Sequence, residues 1–164
     1  MEEHPKDFFA QLQRLCLAGG VKVVHTPCIK KAPINGATRW LKYTPLIQLT
    51  GRYKRNDVFW FTFFHEAGHI LLHGKKDIYL EQIEYSDRDI QKEDEADRFA
   101  VKWTLTIEGE KALLERDTFH ESDVVAFAKR YSTHPAIIVG RLQRDKKVTH
   151  SFGRRFLINV ELDA

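Results

Sequence analysis

Cysteine is scarce. Cys16 and Cys28 are the only two in 164 residues, and they form no Cys-x-x-Cys pair. A single bridge between them would be no scaffold, so the sequence reads as one with reduced thiols rather than a disulfide-stapled module. Long apolar runs are missing too. The longest, Val58 to Phe64 (VFWFTFF), contains a threonine and falls far short of the roughly 20 residues that cross a bilayer. The start, MEEHPKDFF, is charged and lacks the apolar stretch of a signal peptide. There is no internal repeat and no low-complexity segment. Charge of one sign is not in large excess either: a net +3 would tolerate a nucleic acid or an acidic partner but does not argue for one. These absences leave a soluble, cytoplasmic chain with no membrane partner, expected to form one domain over residues 1–164. Its 43% hydrophobic share, with eleven Phe and three Trp, is enough to fill one core.

Periodicity gives the order of elements. Residues 5–18 carry Phe8, Phe9, Leu12, Leu15 and Cys16 at helical spacing, and Gly19-Gly20 ends that helix. Val21 to His25 reads as a strand, Pro27 to Gly36 as a loop, and Ala37 to Tyr43 and Leu46 to Thr50 as two more strands parted by Thr44-Pro45. A small, mostly antiparallel sheet is expected. Asp57 is a candidate N-cap for a helix that is apolar nearly all round, should be buried, and ends at Gly74. Residues 75–90 are polar, with a short strand expected at Ile78 to Leu80. Helices follow at 91–104, 108–116, 121–130 and 134–144, the last two joined by a tight turn at Tyr131-Ser132-Thr133. The tail from Phe156 to Leu162 alternates and is expected to add an edge strand.

The sharpest signal is His65-Glu66-Ala67-Gly68-His69. Two histidines one helical turn apart face the same way and can share one zinc ion at about 2.0–2.1 Å. The glutamate between them sits where it can take a proton from bound water. On so apolar a helix, two histidines and a glutamate would cost several kcal/mol without partners, a conflict that metal binding removes. A catalytic zinc normally has three protein ligands, so a third must come from elsewhere. Glu93-Asp94-Glu95-Ala96-Asp97 offers it: Glu93 and Asp97, at i and i+4, lie on one flank of the face set by Ala96, Phe99, Ala100 and Trp103. Glu93 can ligate the metal, and Asp97 can accept a hydrogen bond from the far nitrogen of His65. Glu95 is the rival ligand, but it lies on the other flank, where Arg98 and Lys102 can pair with it. With Asp94, these three read as a solvated face.

FFHEAGHILLHGKK, EDEADRFA and FAKRYSTHPAIIVGRLQR, with GATRWL upstream, together resemble the ImmA/IrrE metallopeptidase family over roughly residues 5–145. The likeness extends to peptidase-like domains found with HigA-type antitoxins and Xre-type regulators. It implies an α+β, zincin-like half-domain: a small twisted sheet packed on the HExxH helix and the third-ligand helix, with the helical pair at 121–144 as a C-terminal subdomain. It implies a gluzincin-like site in which His65, His69 and Glu93 match the metal ligands, Glu66 the general base and Asp97 the orienting residue. It further implies a zinc endopeptidase acting on a partner regulatory protein such as a transcriptional repressor, with a helix-turn-helix domain in cis or in trans. The chain departs from the family after Phe99-Ala100, where VKWTLTIEG replaces a Leu-Leu-Met/Ile-Pro ending. His73 lies one turn beyond His69 but outside the metzincin pattern, since position 72 is Leu and position 75 is Lys; it reads as a supporting or capping histidine.

In such a mechanism zinc acidifies its water and polarises the scissile carbonyl, and Glu66 moves the proton to the leaving amine. The tetrahedral intermediate needs a further donor, for which Arg39, Tyr85, His120 and Tyr131 are candidates among which the sequence does not choose. A substrate peptide would pair with a sheet edge, for which Ala37 to Leu41 is a candidate; the same segment could instead be a core strand with Trp40 buried. Two other functions compete. One is a non-catalytic antitoxin or regulator domain that binds a toxin or repressor through the same fold. The other is a metal-sensing DNA-binding protein. The helical pair has helix-turn-helix length, but its second helix starts His134-Pro135-Ala136-Ile137-Ile138, too apolar to read bases, and is read as packing.

Overall fold

The computed structural model describes residues 5–28, 34–74 and 87–162. It is α+β. Helix α1 (Phe8–Ala18) leads into strand β1 (Lys22–His25), followed by the hairpin β2 (Gly36–Leu41) and β3 (Thr44–Leu49). Helix α2 (Asn56–Gly68) continues into a π-helical turn, His69–His73. Then come α3 (Asp87–Thr104), α4 (Ile107–Leu114), α5 (Glu121–Arg130), α6 (Pro135–Arg144) and a 3₁₀ turn at Arg154–Phe156.

The sheet is mixed, with order β1-β3-β2. β1 runs parallel to the central strand β3, while β2 runs antiparallel to it along a longer register, Gly36 opposite Leu49 through Leu41 opposite Thr44. The longer ladder is antiparallel, as the sequence suggests, and the parallel one arises because β1 pairs with β3 and not with β2, the strand that follows it. The β2–β3 turn lies at Lys42-Tyr43, two residues before the expected break, with Lys42 at φ 58°. Pro45 sits inside the strand, near its start, where a missing N–H is tolerated.

Ile47 and Leu49 of β3, Phe8 and Phe9 of α1, and Phe59, Trp60 and Phe63 of α2 fill the core, and α6 closes it with Ile138, Val139 and Leu142. Phe8 meets Phe59 edge-on at 5.6 Å. The N-cap of α2 is Arg55 and not Asp57; Asp57 lies in the first turn, where the Arg55 guanidinium holds its two oxygens at 3.0 and 2.7 Å. The tail buries alternate residues, Val160 and Leu162, as its pattern requires. It adds no strand to the sheet, however. It bridges at Asn159 to Arg55, ahead of α2. Trp103 also departs from expectation. It is 53% exposed, stacked on Phe64 at 6.3 Å, while Ala96, Ala100 and Val101 carry the buried face of α3. α3 runs on through Thr104 where the family ending would differ, and Thr106 then caps α4 by accepting from Gly109 N–H. Both cysteines are free thiols. No helix among the described residues is long and apolar enough to cross a membrane. The strand expected at Ile78 to Leu80 lies outside the described residues.

One close crossing positions everything that follows. α2 packs along α3, and at Gly68 the helices approach so closely that a Cβ would lie 3.2 Å from the Ala96 Cα and 3.3 Å from the Phe99 Cβ. The small Gly68 and Ala96 bring the face bearing His65 and His69 against the face bearing Glu93 and Asp97.

Candidate metal centre

His65 and His69 point their Nε2 atoms at one another, 3.1 Å apart. Glu93 from α3 completes the triangle. Its Oε2 is 3.2 Å from His65 Nε2 and its Oε1 is 3.4 Å from His69 Nε2. A tetrahedral ion with bonds of about 2.0–2.1 Å holds its ligand atoms about 3.3 Å apart. The three side chains thus already stand at the separations that such an ion demands, and they form the one His/Cys/Asp/Glu group among the described residues that could hold a metal. Glu95 does not join them. It turns to the far side, where Oε2 meets His73 Nε2 at 3.0 Å and Oε1 accepts from Gln91 at 2.9 Å. His73 in turn places its Nδ1 3.1 Å from His69 Nδ1.

The far side of His65 is equally occupied. Its Nδ1–H donates to Asp97 Oδ1 at 2.8 Å, and Arg144 from α6 donates to Asp97 Oδ2 at 2.6 Å. The Arg144 guanidinium also lies 4.7 Å over the Phe61 ring, so its orientation is fixed from two directions. With both far nitrogens engaged, both Nε2 atoms face the same point between the helices, and loss of one proton from His65 frees both lone pairs for it. That is the arrangement in which outer partners set the tautomer of histidine ligands.

Glu66 is buried, and β2 holds it. The Thr38 hydroxyl lies 2.7 Å from Glu66 Oε2, to which it donates, and 3.0 Å from the Glu66 backbone oxygen. β2 can come this close because Gly36 has no side chain: a Cβ there would lie 2.9 Å from Glu66 Oε1. Neither Thr38 nor Gly36 is singled out by the sequence, since nothing local links them to a helix 28 residues on.

The remaining candidates have other surroundings. Arg39 follows Thr38 in the strand, so it faces away from Glu66 and is exposed. His120 caps α5, its backbone N–H donating to Asp123. Tyr131 packs its ring beside Gly109 and Phe127. Tyr85 lies outside the described residues. β2 is an edge strand and Trp40 is only half-buried, so the edge reading of Ala37 to Leu41 describes it better than the core reading.

Electrostatics follow from this packing. Burial disfavours a charged His65 ring, but the hydrogen bonds to Asp97 and Glu93 outweigh it and raise its pKa from 6.5 to about 10. Burial opposes the Glu93 charge too, yet the hydrogen bonds to His65 and His69 prevail and lower its pKa from 4.5 to about 2. His69 moves the other way. Its burial and the neighbouring His65 and His73 outweigh the pull of Glu93 and lower its pKa. Asp97 is lowered despite burial, by its bonds to His65 and Arg144.

The metal-free protein therefore holds a proton on His65 that an ion must displace. Metal binding at neutral pH is expected to release about one proton per ion, and affinity to rise about tenfold per pH unit between neutral pH and about 10. Calorimetry in buffers of different ionisation heat measures that proton directly. Without metal the sign reverses. The His65 contribution to stability is complete below pH 6.5 and lost as pH rises through about 10. The Glu93 contribution is complete above pH 4.5 and lost as pH falls through about 2. As far as this pair decides it, the metal-free protein should melt highest between pH 4.5 and 6.5.

No curated protein matches the chain significantly. A family profile does: residues 20–143, which include the His65–His69 turn, Glu93, Asp97 and the β2 residues behind Glu66, match the IrrE N-terminal-like domain, and the chain belongs to that peptidase M78 family.

Proposed function

We propose that this chain is a zinc-dependent endopeptidase that cuts a partner regulatory protein. The observation that carries the reading is the pairing of two features: a two-histidine, one-glutamate triangle of 3.1–3.4 Å sides, and a buried Glu66 immediately beside it, held by Thr38. The ligand set of two imidazoles and one carboxylate suits zinc and leaves a position for water. A bound zinc ion would polarise the scissile carbonyl and acidify the attacking water. Glu66 takes the proton of that water and returns it to the leaving amine nitrogen. Thr38 keeps the Glu66 carboxylate aimed while this happens. Asp97, clamped by Arg144, holds the His65 ring in register.

The substrate reading rests on two surfaces. The outer edge of β2 lies beside Glu66 and can accept an extended peptide as a further strand. A cavity of about 360 Å³ begins one helical turn before the motif, lined by Val58 and Phe61 of α2, Val101 and Leu105 around the end of α3, and Ile137 of α6, with Asp57, Arg141 and Arg144 among its charged walls. It suits a largely apolar substrate side chain beside the motif helix. The resemblance to ImmA/IrrE peptidases favours a repressor as the protein cut, in the cytoplasm, with the helix-turn-helix part in the same chain or another. Direct DNA contact by this domain is not part of the reading.

A proteome-derived peptide library, incubated with the zinc-loaded protein and read by mass spectrometry, tests the proposal. Zinc-dependent cleavage beside apolar residues supports it. Absence of any cleavage across the library, with zinc bound, would favour a binding domain that holds a toxin or repressor without cutting it. On the cleaved peptides, Thr38→Val is expected to lower turnover about 10- to 100-fold with zinc content unchanged, because the base loses the group that aims it.

A further inference from the structure

The sequence offers Glu95 as a rival metal ligand and His73 as a supporting or capping histidine, and the mechanism above uses neither. We infer that Glu95 and His73 form a relay that fixes the ring of His69, so both are positioning residues of the metal centre. The inference rests on the metal reading just proposed.

Each proton in the relay is determined by the one before it. To ligate a metal, His69 must present a bare Nε2, so its proton sits on Nδ1. That Nδ1 lies 3.1 Å from His73 Nδ1, which can accept only if His73 carries its own proton on Nε2. His73 Nε2 lies 3.0 Å from Glu95 Oε2, an acceptor for that proton. Gln91 then donates to the other Glu95 oxygen at 2.9 Å. The direction is consistent from end to end: His69 donates to His73, and His73 donates to a carboxylate.

Backbone shape makes the relay possible. Residues 69–73 form a π-helical turn, in which each residue advances by fewer degrees than in an α-helix. The wider turn swings His73 back over the outer nitrogen of His69, with ring centroids 5.2 Å apart. It also explains why His73 is not itself a ligand: its Nδ1 faces His69 Nδ1, on the far side of the ring from the His65–Glu93 triangle. Glu95 is thereby assigned away from the metal. The two histidine ligands are backed differently, His65 by a carboxylate in direct contact and His69 by a carboxylate acting through a second imidazole.

The test is zinc affinity by chelator competition, together with the visible spectrum of the cobalt-substituted protein and melting of the metal-free protein. His73→Leu removes the relay. His73→Asn keeps an acceptor near the position of Nδ1. His73→Leu is expected to weaken zinc by about 10- to 100-fold and alter the cobalt spectrum, with His73→Asn recovering most of both. Glu95→Ala, at a partly exposed position that should fold normally, is expected to weaken zinc on its own but to add nothing in the His73→Leu background. Wild-type zinc affinity in both His73→Leu and Glu95→Ala would overturn the relay, whatever happens to metal-free melting. A His73→Asn variant no better than His73→Leu would also overturn it. Failure of the wild-type protein to bind zinc would be a different result, removing the metal reading and the relay with it.

Discussion

Glu66→Gln is expected to lower peptide hydrolysis by about 10³-fold while the protein still binds one zinc per chain. The substitution keeps the size of the side chain and an oxygen that can accept from Thr38, so the close packing among Thr38, Gly36 and α2 survives. What it removes is basicity. An amide cannot take a proton from water, and no other described carboxylate is held beside the metal ligands in the same way: Glu93 faces both Nε2 atoms, and Asp97 is bound to His65 and Arg144. Zinc content and turnover are therefore expected to separate. Turnover close to wild type with full zinc would place the base elsewhere. The residual rate should reflect the metal and the substrate contacts alone.

Glu93→Ala is expected to abolish zinc-induced stabilisation. At zinc about 100-fold above its dissociation constant, the wild-type protein should gain about 2.7 kcal/mol and melt roughly 5–11 °C higher. Two histidines without a third ligand cannot hold the ion comparably, so the loss should exceed the roughly 10- to 100-fold cost of an outer-partner change. The comparison must be made within each variant, with and without zinc. Removing Glu93 also deprives protonated His65 of a partner and lowers metal-free melting at neutral pH. Glu95→Ala is the control on the same helix. It leaves the triangle intact and should keep a zinc-dependent shift, smaller than wild type by the affinity the relay supplies.

The metal triangle was the most legible part of this protein. Helical periodicity alone puts His65 beside His69 and Glu93 beside Asp97, because i and i+4 share a face whatever the rest of the fold does. Which faces meet was less legible. It depends on Gly68 and Ala96, whose significance is their smallness, a property that many glycines and alanines share. Thr38 and Arg144 were not legible at all. They reach the site across 28 and 47 residues of chain, and no local pattern reports such distances. The π-helical turn was hidden for another reason: Ile70-Leu71-Leu72 reads equally well as α-helix, and the extra residue shows only in how His73 meets His69. The hairpin turn falls two residues before the break that Pro45 suggests, because Lys42 at positive φ carries none of the usual turn signals. The tail kept its alternation but found a different partner, since alternation fixes which residues are buried and not which strand they pair with.

The central claim is that one metal ion sits between His65, His69 and Glu93. Anomalous X-ray scattering at the zinc edge, from crystals of the zinc-loaded protein, tests it most directly. The account predicts a single strong peak about 2.0–2.2 Å from His65 Nε2, His69 Nε2 and a Glu93 oxygen. A peak bonded to Glu95 or His73 in place of Glu93, or no peak between α2 and α3, would contradict it.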